Sequence, residues 1–171
     1  CLLDVEADKA QMRRSHRHYR YIFHPSDLPD KSGIELGTDN LVYTSFYFRD
    51  KIAGRLNDLA TRKQLIFRGF TLTDRPVKAW IILQQDNGLE YGITTTLSKE
   101  QLLHEIPLSE FKRLRVTGPG EKGFVFIEPI EDGTNDKFEI RKVETLKIAI
   151  LPQDNPKESQ AKTVFEYVIL K

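Results

Sequence analysis

Val77-Lys78-Ala79-Trp80-Ile81-Ile82-Leu83-Gln84-Gln85, then Asp86-Asn87-Gly88-Leu89, then Glu90-Tyr91-Gly92-Ile93-Thr94-Thr95-Thr96-Leu97, is the stretch that decides the fold. Two runs rich in β-branched and aromatic residues flank an Asn-Gly pair. This is a strong local signal for a β-hairpin, because glycine accepts the left-handed backbone that tight turns use. Side chains alternate between the two faces of a strand, so Val77, Ala79, Ile81 and Leu83 form one apolar set. Lys78, Trp80, Ile82 and Gln84 then share the opposite face, which places the only tryptophan off the core.

The same signals repeat outward from the hairpin. Leu2 to Glu6, Tyr19 to Phe23, Leu41 to Phe48, Gln64 to Thr73, Lys112 to Val116, Gly123 to Ile127, Val143 to Leu151 and Thr163 to Leu170 read as strands, with turn formers such as His24-Pro25, Asp74-Arg75-Pro76 and Gly118-Pro119-Gly120 between them. Alternation directs Leu146, Ile148 and Ile150 inward with Thr145 and Lys147 outward. On the last run it directs Phe165, Tyr167 and Ile169 inward with Glu166 outward. Only Phe48, Ile52, Leu56, Leu59 and Ala60 recur at helical spacing, across a segment weakened by Gly54. Ser98 to His104 reads as a helical turn, with Ser98 as N-cap and Gln101 closing a capping box. About ten short strands with almost no strand–helix alternation predict an all-β, antiparallel β-sandwich or jelly roll with one short helix. Residues 1–171 are expected to form one such domain, processed or excised from a longer protein.

Composition sets the outer limits. Of the 171 residues, 39% are apolar and 30% charged, which is a globular balance, and the net charge of +1 gives no general attraction to nucleic acid. No apolar run reaches the roughly 18 residues of a membrane helix. The single cysteine, Cys1, excludes an internal disulfide framework and a cysteine-based zinc site. A lipid anchor on Cys1 is one reading. Against it, Cys1 to Glu6 runs directly into apolar residues without a polar tether.

Trp80 through Leu83, the Asp86-Asn87-Gly88 turn, Tyr91-Gly92-Ile93, Ile106 to Phe111, Val143 to Ile150 and the closing Phe165 to Leu170 form an order that resembles the β-jelly rolls of carbohydrate-binding modules, as appended to bacterial glycoside hydrolases. The resemblance covers residues 76 to 171. It implies a sugar or polysaccharide partner, a neighbouring catalytic domain and a secreted, periplasmic or cell-surface location. It also implies a structural calcium between the first and last strands, with Asp4, Glu6 and Glu166 as its ligands. The bland alternative for these acids is exposed strand positions.

Sugar binding needs an exposed aromatic ring for the C–H face of a pyranose and adjacent polar groups for its hydroxyls. Trp80 is the expected platform, with Gln84, Lys78, Thr94 and Thr96 beside it; packing under a loop or helix is its structural alternative. Tyr43, Tyr47 and Tyr91 are weaker platforms, since strand tyrosines more often cover a core edge. The run Arg13-Arg14-Ser15-His16-Arg17-His18-Tyr19-Arg20 is the sharpest anomaly. Guanidinium forks such as Arg14 and Arg17 suit the carboxylates or sulfates of an acidic glycan, whereas a charged edge strand needs no ligand at all. His16, His18 and His24 lie among four arginines that would repel a metal dication.

No nucleophile elbow, zinc-protease helix or phosphate-binding glycine loop is present. The leading reading is therefore a non-catalytic glycan-binding or accessory domain of a polysaccharide-processing protein. A purely structural domain packing on a catalytic neighbour is the first alternative. A lyase or glycosidase is the second, with basic residues neutralising a uronate while a His or Tyr abstracts a proton.

Overall fold

The hairpin forms as the sequence predicts. Strands β6 (Val77–Gln85) and β7 (Glu90–Leu97) pair antiparallel from Val77 opposite Leu97 to Gln84 opposite Glu90. Gly88, with φ of +84°, is the one residue of the connection in left-handed backbone, and its N–H donates to the Gln85 carbonyl at 2.9 Å. This is a type I turn closed by a left-handed glycine, not the mirror-image turn that Asn-Gly often makes. Asn87 contributes through its side chain, whose oxygen accepts from the Leu89 N–H at 3.1 Å.

The computed structural model describes residues 3–4, 19–23, 32–37, 42–72, 74–118, 125–131, 137–155 and 162–171. These build two six-stranded antiparallel sheets. The first runs in the order β2 (Tyr19–Phe23), β3 (Ser32–Gly37), β12 (Lys162–Leu170), β5 (Gln64–Thr71), β8 (Leu103–Pro107), with the two-residue β1 (Leu3–Asp4) also on β12. The second runs β10 (Phe126–Pro129), β9 (Lys112–Thr117), β7, β6, β11 (Val143–Ile150), β4 (Val42–Tyr47). Their facing sides share one apolar core: Leu65, Phe67, Ile106, Phe165 and Val168 from the first sheet, and Val77, Ala79, Ile81, Leu83, Tyr91, Leu97, Leu146, Ile148 and Ile150 from the second. The fold is the expected all-β sandwich. Leu3 pairs with Val168, so the first and last segments meet.

Three local expectations change. The helical spacing after Phe48 gives two single helical turns, Arg49–Ile52 and Leu56–Leu59, separated by a 3₁₀ turn at Ala53–Arg55 that contains Gly54. Phe48, Ile52 and Leu59 still bury into the core, so the period reports packing even where the helix is broken. Ser98 caps no helix: its hydroxyl accepts from the Gln101 N–H at 3.2 Å, and Leu103–Pro107 is strand. A Ser side chain bonding three residues on serves a turn as well as a helix start.

The third change concerns Glu166. The register along β12 jumps from Phe165 opposite Gly69 to Tyr167 opposite Arg68, so Glu166 is the extra residue of a β-bulge. Beyond it the phase is inverted. Phe165 and Val168 enter the core and Leu170 packs against it, while Tyr167 and Ile169 are half-buried. Glu166 is not exposed: it is 3% accessible, with a carboxylate oxygen 2.5 Å from Nε of Arg68. A carboxylate removed from water needs a counter-charge, and here a guanidinium supplies it.

A second apolar cluster lies on the outer face of the second sheet: Trp80, Ile82, Leu114, Val125, Ile127, Ala149 and Leu151. The segment after β11 straps over it. Its anchor is Asn155, whose Oδ1 accepts from the Lys78 N–H at 2.8 Å, while its Nδ2 donates to the carbonyls of Lys78 and Leu151, both at 3.0 Å. Pairing of β11 with β6 ends at Ala149 and Trp80, so the Asn155 carboxamide continues the ladder where the strand has stopped. Gln153 ties the strap to the Val125 carbonyl at 2.9 Å.

Two outcomes are expected. Asn155→Ala strands both backbone groups of Lys78 and should cost about 2 kcal/mol in denaturant unfolding; a change under about 0.5 kcal/mol would mean that water replaces the carboxamide fully. His104 is buried, stacks on Phe67 at 4.6 Å and hydrogen-bonds the Gly69 carbonyl through Nε2 at 3.0 Å. Burial holds its pKa below the ordinary value, against the bonds to Gly69 and Gln101. The unfolded chain therefore binds this proton more readily, and the stabilisation is complete above about pH 6.5 and lost as pH falls through the lower folded value. Between pH 7 and pH 5 the melting temperature should fall more steeply in the native chain than in His104→Gln, and equal slopes would refute the assignment.

Candidate functional site

The outer face of the second sheet carries two different surfaces, and the register defines both. Trp80 lies opposite Thr94 on one side and Ala149 on the other, with Tyr43 beyond on β4. This end is apolar and covered. Gly92 makes the covering possible: a Cβ there would lie 2.6 Å from the Ile81 carbonyl and 2.8 Å from Cδ1 of Leu114. Trp80 itself is 7% accessible, and its indole N–H donates to Oδ2 of Asp154 at 3.0 Å. It offers no open ring face, so the expected platform is corrected. The sequence placed it properly off the central core; the strap, joined to β6 through contacts more than seventy residues apart in sequence, carries no local signal.

Four residues further along β6 the face is polar. Tyr47, Thr145, Gln84 and Glu90 stand side by side on β4, β11, β6 and β7, a row about 14 Å long at the usual strand spacing. The next row holds Ser45 and Lys147. Tyr47 is the most open large side chain on it, 54% accessible, at the edge of the sheet. Gln84 is half-buried, and among the described residues no hydrogen bond engages its amide. The Lys147 ammonium is paired with the Glu90 carboxylate, each side chain 13% accessible, and sits 5.6 Å from the Tyr43 ring centroid. Burial is the largest single influence and works against the charge on Lys147, but its hydrogen bond to Glu90 and its further interactions with Tyr43 and Glu90 together outweigh burial and raise the pKa. Burial raises the pKa of Tyr43, which remains a neutral phenol.

The face thus presents an open aromatic ring, a free carboxamide, and a pair of opposite charges that neutralise each other while keeping donors and acceptors. Such a surface suits a ligand that is apolar on one side and hydroxylated around its rim.

Of the residues singled out from sequence, Gln84 lies in the row and Thr94 beside the covered Trp80, half-buried. Lys78 is exposed at the strap, where its backbone is held by Asn155. Arg14, Arg17 and Glu6 fall outside the described residues, and Asp4 is described by its backbone alone. Glu166 does not fit a calcium site: Arg68 already compensates its carboxylate, and a dication there would face that guanidinium. Among the described residues no cluster of three metal-ligating side chains occurs. Glu90 and Lys147 were missed. Alternation alone turns both outward, yet only the pairing of β6 with β11 brings them together.

An antiparallel sandwich with an aromatic and polar sheet face is the class that these features define. Among solved structures, a family 11 carbohydrate-binding module from Clostridium thermocellum, in complex with a β-1,3-1,4-mixed-linked tetrasaccharide, is similar with a TM-score of 0.56 at 13% identity, over 89% of this chain and 80% of that one. An exo-β-agarase matches over 99% of this chain with a TM-score of 0.59 at 9% identity. A second agarase matches over 92% at 0.52 and 9% identity. This chain spans about a quarter of the length of those agarases, 25% and 23%. At such identities the likeness is one of fold. No protein-family description matches the sequence, and no curated protein does.

The Lys147–Glu90 pair should hold the polar row together. A double-mutant cycle with Lys147→Met and Glu90→Gln is expected to give a coupling of about 1–3 kcal/mol in unfolding experiments, because removing either partner leaves a largely desolvated charge. Additive effects would show that the two groups act independently.

Proposed function

We propose that this protein is a non-catalytic glycan-binding β-sandwich and that its ligand lies along the row from Tyr47 to Glu90. The observation that carries this reading is the open Tyr47 ring aligned with Gln84 and the Glu90–Lys147 pair on one sheet face. A pyranose stacks its C–H face on Tyr47, and its hydroxyls bond to the Gln84 amide, which can both donate and accept. The fold shared with a module solved in complex with a tetrasaccharide supports the same ligand class. A secreted, periplasmic or cell-surface location is part of the proposal.

The second reading is an accessory domain that packs on a catalytic neighbour and binds no sugar. It is favoured by the burial of Trp80 and by the agarases, in which a region of this fold makes up about a quarter of the chain.

Affinity electrophoresis in gels containing mixed-linkage β-glucan, agarose or polygalacturonate separates these readings. At least one neutral polysaccharide should retard the protein, and Tyr47→Ala should abolish the retardation while changing stability by no more than about 0.5 kcal/mol, as expected for an exposed side chain. Retardation by polygalacturonate alone, weakening with salt, would instead support the acidic-glycan expectation for Arg14 and Arg17. Mobility unchanged in every gel would leave the accessory reading standing and the glycan reading without support.

A further inference from the structure

A pocket of about 290 Å³ opens at the end of the sandwich, between the β8–β9 connection and the segment leading into β11. Its apolar floor is Leu108, Phe111, Phe138 and Ile140, with the Phe111 and Phe138 rings stacked at 6.0 Å. Its polar rim is Arg62 and Ser109. It is separate from the polar row. Tyr91, which packs on Phe138 at 5.2 Å, points to the inner side of β7, opposite to the neighbouring Glu90.

The rim selects the ligand chemistry. Nη2 of Arg62 donates to both carboxylate oxygens of Asp58, at 2.8 and 2.9 Å. No described residue engages its Nε, its Nη1 or the Ser109 hydroxyl. A hydrocarbon would use the floor alone and none of these rim donors, which also reach water. A carboxylate would meet a guanidinium already neutralised by Asp58, and would be repelled by it. Hydroxyl groups donate and accept at once, so they match a rim made of Arg N–H groups, a carboxylate behind them and a serine. A ring with an apolar C–H side matches the phenylalanine floor. An apolar cavity of roughly 150 Å³ suffices for benzene, so this volume suits about one substituted ring.

We propose that this pocket is a second carbohydrate subsite, taking a single neutral pyranose such as a chain end. The choice of a sugar rests on the glycan reading above, but the residues and the test are independent of the sheet face. Saturation-transfer NMR with methyl β-D-glucopyranoside and methyl β-D-galactopyranoside should show transfer from the protein to at least one, with weak, roughly millimolar affinity. Ser109→Trp places an indole over the mouth from an exposed position and should weaken that binding by at least about tenfold. Arg62→Lys keeps a cation beside Asp58 but loses the fork, and should weaken it severalfold even if Ser109→Trp folds poorly. Tyr47→Ala should remove no more than the part of the signal that comes from the sheet face, and the signal that remains should still be weakened by Ser109→Trp. Absence of transfer in a native chain that polysaccharide gels retard would overturn the subsite alone; absence of both would overturn the subsite and the glycan reading together. Transfer lost in Tyr47→Ala and unchanged in Ser109→Trp would place the sugar on the sheet face and also overturn the subsite.

Discussion

Strand β6 is buried on both of its faces, and most of the architecture answers that constraint. Its inward set, Val77, Ala79, Ile81 and Leu83, joins the central core, while Trp80 and Ile82 on the other side form the middle of a second cluster. A strand with two apolar faces needs cover on both, and one partner sheet supplies only one. The second cover comes from Leu114, Val125, Ile127 and the strap ending at Asn155. Because that cover stops short of Gln84, the remaining part of the face stays open and polar. The location of the candidate site is thus the complement of where β6 had to be covered.

Within the site, charge is arranged to vanish at a distance and act at contact. Lys147 and Glu90 are mostly withdrawn from water and cancel each other, with Tyr43 beside the ammonium. Long-range attraction is weak for such a face, and selectivity falls to shape and to individual hydrogen bonds. The edge position of Tyr47 fits this arrangement, since a ring on an outer strand can meet a long ligand that extends past the sheet.

The sequence revealed the fold wherever alternation ran undisturbed. The hairpin from Val77 to Leu97, the inward residues of β11 and about ten of the twelve described strands were legible. Failures trace to particular residues. Glu166 inverted the phase of β12, since a bulge adds one residue without any mark in composition. Ser98 offered a cap that a turn used. Strand β3 (Ser32–Gly37) carries glycine at two of its six positions, which hid it among the loops. Trp80 was assigned the right face and the wrong exposure, because cover by a distant strap is a tertiary fact. The polar row was invisible for the same reason: alternation gives the outward residues of each strand, but which strands become neighbours is decided across long stretches of chain.

The order of strands also bears on how the chain reaches this structure. β12, last in the sequence, lies between β3 and β5, and β11 lies between β4 and β6. Each sheet therefore receives an interior strand only after most of its other strands have been synthesised. Until then β3 and β5, and likewise β4 and β6, have no bridge between them, and their unpaired edges are open to non-native partners. Pairings this distant in sequence close large loops before any contact rewards them, which places folding toward the slow end of the range for small domains. A ribosome-bound chain that has not yet made β12 leaves the first sheet in two parts, and one that also lacks β11 leaves both sheets divided.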